Sequence, residues 1–226
     1  MAKFSSLDYI IFISVSIFTI QHHSVQAGVS DRTVTCGSLI KLMNGHQGVR
    51  LHSHDVKYGT GSGQQSVTGS QDVDDLNSHW IVKAETGAFC HRGNPIKCGS
   101  TIRLQHLATS KNLHSHHFHA PLTRQYQEIS AYGNSGEGDT GDHWIVMCER
   151  DNYWQRDHDV MFKHVDTGVY LAVTGQTYGR PIIGQNEIVG VESPHGRETQ
   201  WAAKEGVYFH TSDFDPKKHL HAHTEL

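Results

Sequence analysis

Apolar and polar residues alternate with period two along much of this chain. Val49, Leu51 and Ser53 alternate with Arg50, His52 and His54. Leu113 and Ser115 alternate with Asn112, His114 and His116, and Val169, Leu171 and Val173 alternate with Tyr170, Ala172 and Thr174. Such alternation predicts strands with one buried and one exposed face. The stretches between them, YGTGSGQQ, GNSGEGDTGD and DTG, are rich in residues that form turns and break helices. No amphipathic helical stripe interrupts the pattern, so the chain reads as all-β.

The alternating segments belong to a repeat. CGSLIKLMNGHQGVRLHSH from Cys36 matches CGSTIRLQHLATSKNLHSH from Cys98, with Cys36 and Cys98 62 residues apart, as are Leu51 and Leu113. NSHWIVKAE and GDHWIVMCE then match in turn. A third copy is degraded: VMFKHVDTGVYLAVTG from Val160, closing with TQWAAKEG from Thr199. In this reading Phe162 takes the place of Ile40 and Ile102, and Leu171 that of Leu51 and Leu113. Gly69 and Trp80, Gly133 and Trp144, and Gly190 and Trp201 are each 11 residues apart, which sets a common register.

Copies of this size cannot bury their own apolar faces and must pack on one another. About four strands fit each copy at ordinary strand and loop lengths. Twelve strands in three sets predict a β-trefoil, a barrel closed at one end by hairpins. Leu51, Leu113 and Leu171, with Trp80, Trp144 and Trp201, are its expected core. Trp154 stands outside the register and is the tryptophan freest for another task.

Composition refines this picture. Residues 1–27 have the build of a signal peptide: Lys3, the apolar run Tyr9 to Ile20, then Val25 and Ala27 at a cleavage site. A spanning helix needs ~20 apolar residues, which this run does not reach, and no later stretch suits membrane insertion. The expected boundaries are the trefoil over 28–210 and a tail over 211–226. The tail ends His223-Thr224-Glu225-Leu226, which resembles the retrieval signal of the endoplasmic reticulum, with Thr224 where aspartate is usual. A net charge of −4 is too mild to suggest nucleic acid as a partner. Cys36, Cys90, Cys98 and Cys148 are an even set in an oxidising compartment, and three pairings are open. Their order along the repeats hints at Cys36 with Cys90 and Cys98 with Cys148.

Cys-Gly-Ser, LHSHD, YGTGSGQQSVTG, LHSHHF and YGRPIIGQ resemble the stromal cell-derived factor 2 family, whose repeats are MIR domains. The resemblance covers roughly residues 30 to 210, with repeats near 30–85, 92–149 and 150–206. It implies a β-trefoil of three MIR repeats in the lumen of the endoplasmic reticulum. It also implies a non-enzymatic role in protein quality control and the unfolded-protein response. The implied partners are a J-domain co-chaperone, its Hsp70 and unfolded client proteins.

Candidate chemistry is sparse. The chain carries 20 histidines, and His52 with His54, and His114 with His116, share strand faces where two imidazoles could meet a metal. No zinc-type spacing supplies the remaining ligands, so no metal or other cofactor is expected, and the plain reading is an exposed strand face whose histidines titrate near neutrality. Asp72, Asp74 and Asp75, and Asp139 with Asp142, read as solvated turn residues before their tryptophans. No nucleophile, phosphate-loop or dinucleotide motif appears, so an enzyme is not expected. Two binding functions stay open: a chaperone cofactor, or a carbohydrate-binding trefoil related to the MIR domains of protein O-mannosyltransferases. Tyr58, Tyr132 and Tyr178, each beside a glycine-rich loop, are the expected partner surface.

Overall fold

The computed structural model describes residues 32–210 except 195. Among them there is no α-helix, and the twelve strands fall into three sets of four. The first set is β1 (Leu39–Asn44), β2 (Val49–Lys57), β3 (Gln65–Ser70) and β4 (Trp80–Ala84). The second is β5 (Thr101–His106), β6 (Asn112–His119), β7 (Gln127–Tyr132) and β8 (Trp144–Cys148). The third is β9 (Asp159–His164), β10 (Tyr170–Thr177), β11 (Asn186–Val191) and β12 (Trp201–Val207). A single 3₁₀ turn precedes β4, β8 and β12.

Antiparallel pairing closes β1, β4, β5, β8, β9 and β12 into a six-stranded barrel. The hairpins β2–β3, β6–β7 and β10–β11 cap one end, where β3, β7 and β11 pair with one another in a triangle. This is the β-trefoil. Closure leaves the barrel no free edge, which removes the aggregation hazard of an open sheet.

The repeat tryptophans are fully buried, and each is tied to its own repeat in the same way. The indole N–H of Trp80 donates to the Leu51 carbonyl (2.8 Å), Trp144 to Leu113 (2.9 Å) and Trp201 to Leu171 (2.9 Å). Burying a tryptophan strands a donor, and the leucine backbone inside the hairpin supplies the acceptor.

Three expectations need correction. Trp154 is in register after all. Val34, Ile96 and Trp154 are the third residues before equivalent glycine-type positions, and their backbones hydrogen-bond in a ring: Val34 N–H to Trp154, Trp154 N–H to Ile96, Ile96 N–H to Val34. Trp154 is buried, with its ring edge-on to Phe162 at 5.4 Å, and plugs the barrel end opposite the hairpins. Second, Val160 pairs with Trp201 as Ile40 pairs with Trp80 and Ile102 with Trp144, so Val160 holds their place. Phe162 faces Val146 as Leu104 faces Val82, and it belongs with Leu104. Third, Leu51 faces Gly69 and Leu171 faces Gly190, but Leu113 faces Ala131, not Gly133. Gly133 lies past the strand at φ 91°, and a Cβ there would strike the Glu137 carbonyl. The second copy carries two extra residues between hairpin and tryptophan, and a turn glycine falls there at the same spacing.

The third copy of Cys-Gly-Ser is Arg156-Asp157-His158. Gly37, Gly99 and Asp157 all have positive φ (79°, 84° and 63°), and their N–H groups donate to Val82, Val146 and Ala203. Asp tolerates this left-handed backbone better than most side chains, which let the triplet drift beyond recognition.

Candidate functional site

The hairpin faces differ among the three repeats, and that difference defines the candidate site. On the first face, His52 lies opposite Thr68 in the ladder. The Asp75 carboxylate accepts from His52 Nδ1 (2.5 Å), and His52 Nε2 lies within hydrogen-bond distance of His54 Nδ1 (2.6 Å) and Gln185 Nε2 (3.4 Å). Asp75 also caps the 3₁₀ turn through the Asn77 N–H and accepts from the Ser78 hydroxyl. Burial pushes the Asp75 carboxyl up, but these hydrogen bonds and His52 outweigh it and hold it below the ordinary range. Burial, then the neighbouring His52, lowers His54.

On the second face His114 lies opposite Ser130. His114 Nδ1 donates to Asp142 (3.0 Å), whose other oxygen accepts from Asn112 Nδ2 (2.8 Å), and Tyr132 packs on His114 at 4.8 Å. His116 approaches the buried Glu128 at 3.3 Å.

Both strand faces are therefore buried, and the expected exposed histidine face is corrected. His52 and His114 are covered by the 3₁₀ turn of their own repeat and by the neighbouring hairpin, while His54 and His116 are half-buried. Alternation registered two chemically different faces; it could not register that loops from elsewhere cover the polar one. Asp75 and Asp139 cap their 3₁₀ turns and the buried Asp142 holds Asn112 and His114, whereas Asp72 and Asp74 are exposed turn residues as expected.

On the third face the cluster is gone, and the loss is coordinated. Ala172 stands for His52 and His114, and Val189, opposite it, for Thr68 and Ser130. Gln185 accepts from Thr68, and Gln64 from Ser130; at the corresponding place Tyr126 packs against Ala172, Val189 and Val191. The turn cap provided by Asp75 and Asp139 becomes Gly196. The result is an open cavity of about 520 Å³ with an apolar floor of Tyr126, Ala172, Val173, Val189 and Val191. Thr174, at the place of His54 and His116, Gln47, Gln125, Glu192 and Glu198 contribute polar groups to its walls. The chain carries LAVT at 171–174 where the other copies carry LHSH, so the loss of both histidines is visible locally, but the partner changes lie far apart in the chain.

The three tyrosines do not form one surface. Tyr58 is only 7% exposed, and its hydroxyl donates into the triangle of hairpins, within 2.9 Å of the Val67 carbonyl and 3.0 Å of that of Ile129; burial raises its pKa well above the usual value. It is a core residue, and its assignment to the partner surface is withdrawn. Tyr178 lies beside it, ring centroids 6.3 Å apart, half-buried and with its hydroxyl buried. Tyr132 is 38% exposed.

His114, Asp139 and Asp142 are the group among the described residues whose ligand atoms converge enough for a metal. Those atoms are already engaged: Asp142 by Asn112 and His114, Asp139 by the Gly141 N–H. Hydrogen bonding accounts for their convergence. Disulfides join Cys36 to Cys90 and Cys98 to Cys148. Residues 223–226 lie outside the described residues.

Comparison with known proteins places this geometry. The MIR domain profile matches residues 41–161. Mouse (Mus musculus) stromal cell-derived factor 2 is 54% identical over 180 residues, covering 80% of this chain and 84% of that protein. The solved structure of the SDF2-like protein from Arabidopsis thaliana matches with TM-score 0.77 and 44% identity, covering 80% of this chain and 99% of that one. An S. cerevisiae protein O-mannosyltransferase complex, solved with the sugar donor bound, matches with TM-score 0.69 and 24% identity over 87% of this chain and 30% of its own; that likeness concerns the fold alone.

Proposed function

The chain belongs to the stromal cell-derived factor 2 family of MIR-domain proteins, and from that membership we propose that it is a non-enzymatic chaperone cofactor of the endoplasmic-reticulum lumen. It acts with a J-domain co-chaperone and its Hsp70 to keep misfolding clients soluble. Family identity over most of the chain is the observation that carries this reading. Two disulfides suit an oxidising, secretory compartment, and no helix of the described residues is long and apolar enough to cross a membrane. A binding role also suits the polar chemistry: the histidines and aspartates of the types that do acid–base work, His52, Asp75, His114, Asp139 and Asp142, are bonded to one another or to turn amides.

The test is capture of partners from endoplasmic-reticulum lysate on the immobilised folded chain, read by mass spectrometry. A J-domain protein with its Hsp70 is the expected eluate; the absence of both, from lysate shown to contain them, rejects the reading. With Tyr58 removed from the candidate surface, Tyr132→Ala is the variant expected to weaken that capture without unfolding the chain.

A further inference from the structure

We infer that the cavity on the third hairpin face is a carbohydrate site, which takes a neutral hexose unit at the end of a glycan. The inference stands apart from the co-chaperone reading. Its basis is the coordinated replacement on that face. Four residues that make a packed polar cluster on the first face, His52, Asp75, Thr68 and Gln185, become Ala172, Gly196, Val189 and Tyr126, and Thr199 takes the place of Asp142, the partner of His114 on the second face. Loss of the histidine alone would take one hydrogen-bond partner from the half-buried Asp75 carboxylate and one from the half-buried Gln185 amide. Here every partner has changed too, and a roomy, apolar-floored pocket stands where the other repeats are filled.

The chemistry of the pocket selects the ligand class. A volume of about 520 Å³ falls within the usual range for small-molecule sites. Tyr126 and the aliphatic floor suit the C–H face of a sugar ring. The carboxylates of Glu192 and Glu198 accept only, whereas the Gln47 and Gln125 amides both donate and accept, as does the Thr174 hydroxyl. A polyol, whose every hydroxyl also donates and accepts, can use that whole set. A cationic side chain would leave the amide donors unused. An extended peptide is disfavoured for a second reason: β11, which carries Val189 and Val191 of the floor, is already paired on both sides, by β10 and by β3 and β7. A smaller pocket continues past Tyr126 and Glu192 toward Phe118 and His119, which gives room for a second sugar unit.

The experiment uses the whole folded chain. Methyl α-mannoside, methyl β-glucoside and chito-oligosaccharides are titrated by saturation-transfer NMR and calorimetry, alongside a glycan array and an array of unfolded peptides. At least one hexose-terminated glycan is expected to bind. Ala172→His, which restores the side chain of the other two faces, and the double variant Glu192→Ala with Glu198→Ala should each weaken it by at least about tenfold, near 1.4 kcal/mol. The double variant alters exposed or half-exposed residues, so it serves if Ala172→His does not fold. An empty glycan array overturns the proposal. So does glycan binding that the double variant leaves unchanged, or peptide binding at this pocket without any sugar. Co-chaperone capture should survive these variants, so either reading can fail alone.

Discussion

His106 shows how much one side chain can be asked to do. It packs at a tilt against Trp80, ring centroids 5.0 Å apart, donates from Nε2 to the Asn77 carbonyl, and accepts on Nδ1 from Thr109, which in turn accepts from Gln65. His164 repeats the arrangement with Trp144, Gly141, Thr167 and Gln127. Asn44 does the equivalent work in the first repeat, donating to the backbone of Arg197, Glu198 and Gln200. Burial pushes the His106 pKa down to about 4, despite its hydrogen bond to Asn77. A depressed histidine pKa means that between pH 6.5 and 4 the unfolded chain holds a proton the folded chain lacks. Stability contributed by the neutral ring is therefore complete above that window and lost as pH falls through it, by up to about 3 kcal/mol. His106→Asn, borrowing the solution of Asn44, should flatten the dependence of folding free energy on pH between 7.5 and 4.5 in urea titrations; an unchanged slope would refute the assignment. At this scale the sequence was hard to read. LHSH announced paired histidines plainly, but their partners Asp75, Gln185 and Asp142 come from other segments, and no local pattern distinguishes a solvated aspartate from one that caps a turn and holds a ring.

At the scale of elements, a buried carboxylate fastens each of two hairpin loops. Glu187 in β11 accepts the N–H groups of Leu122 (2.7 Å) and Thr123 (3.1 Å) and the Thr123 hydroxyl (2.6 Å). Glu128 in β7 accepts the N–H and hydroxyl of Ser62. Ser66 in β3 occupies the equivalent position and bonds instead to Val56. Glu187→Gln would keep one acceptor oxygen, for the two N–H groups, but remove the charge and turn an amide donor toward the Thr123 hydroxyl. It should cost about 2–4 kcal/mol, since hydrogen bonds to charged groups contribute about 1.5–3 kcal/mol each. The loop would open first, so trypsin should cut after Arg124 in the variant well before the wild type; equal cleavage rates would count against the clamp. Strands themselves were the most legible level. Alternation, turn residues and the repeat located four per copy, because the pleat imposes its period directly on the sequence. Registers were less legible where copy three had diverged: Val160, Phe162 and Trp154 could be placed only once their cross-strand partners were visible.

For the whole molecule, three packed copies form one body closed by β1 against β12, yet only two copies carry a crosslink. The disulfides close loops of 54 and 50 residues. Chain-entropy reasoning assigns about 4 kcal/mol to a loop of that length. Arg156 occupies the third cysteine position and is packed over the Tyr208 ring at 3.8 Å. Cys98→Ala with Cys148→Ala should lower the melting temperature by several degrees in a single cooperative transition; a separate early transition of the second repeat would show that the copies are not one folding unit. Threefold architecture was readable from the repeat because equivalent sequence must solve an equivalent packing problem. What distinguishes the copies, the filled first and second faces and the open third, depends on residues contributed across their boundaries.

The indole-to-leucine bond has a practical consequence. Each repeat carries its own spectroscopic label, an indole proton on Trp80, Trp144 or Trp201 held by the backbone of the same repeat. Trp154, whose buried indole nitrogen has no acceptor among the described residues, labels the plug shared by all three. Four nitrogen-15 indole resonances followed in deuterated water would thus time the opening of each third of the barrel and of its axis. Equal rates would mean that the molecule breathes as a whole; a faster Trp201 would mean that the copy which gave up its histidines also became the loosest.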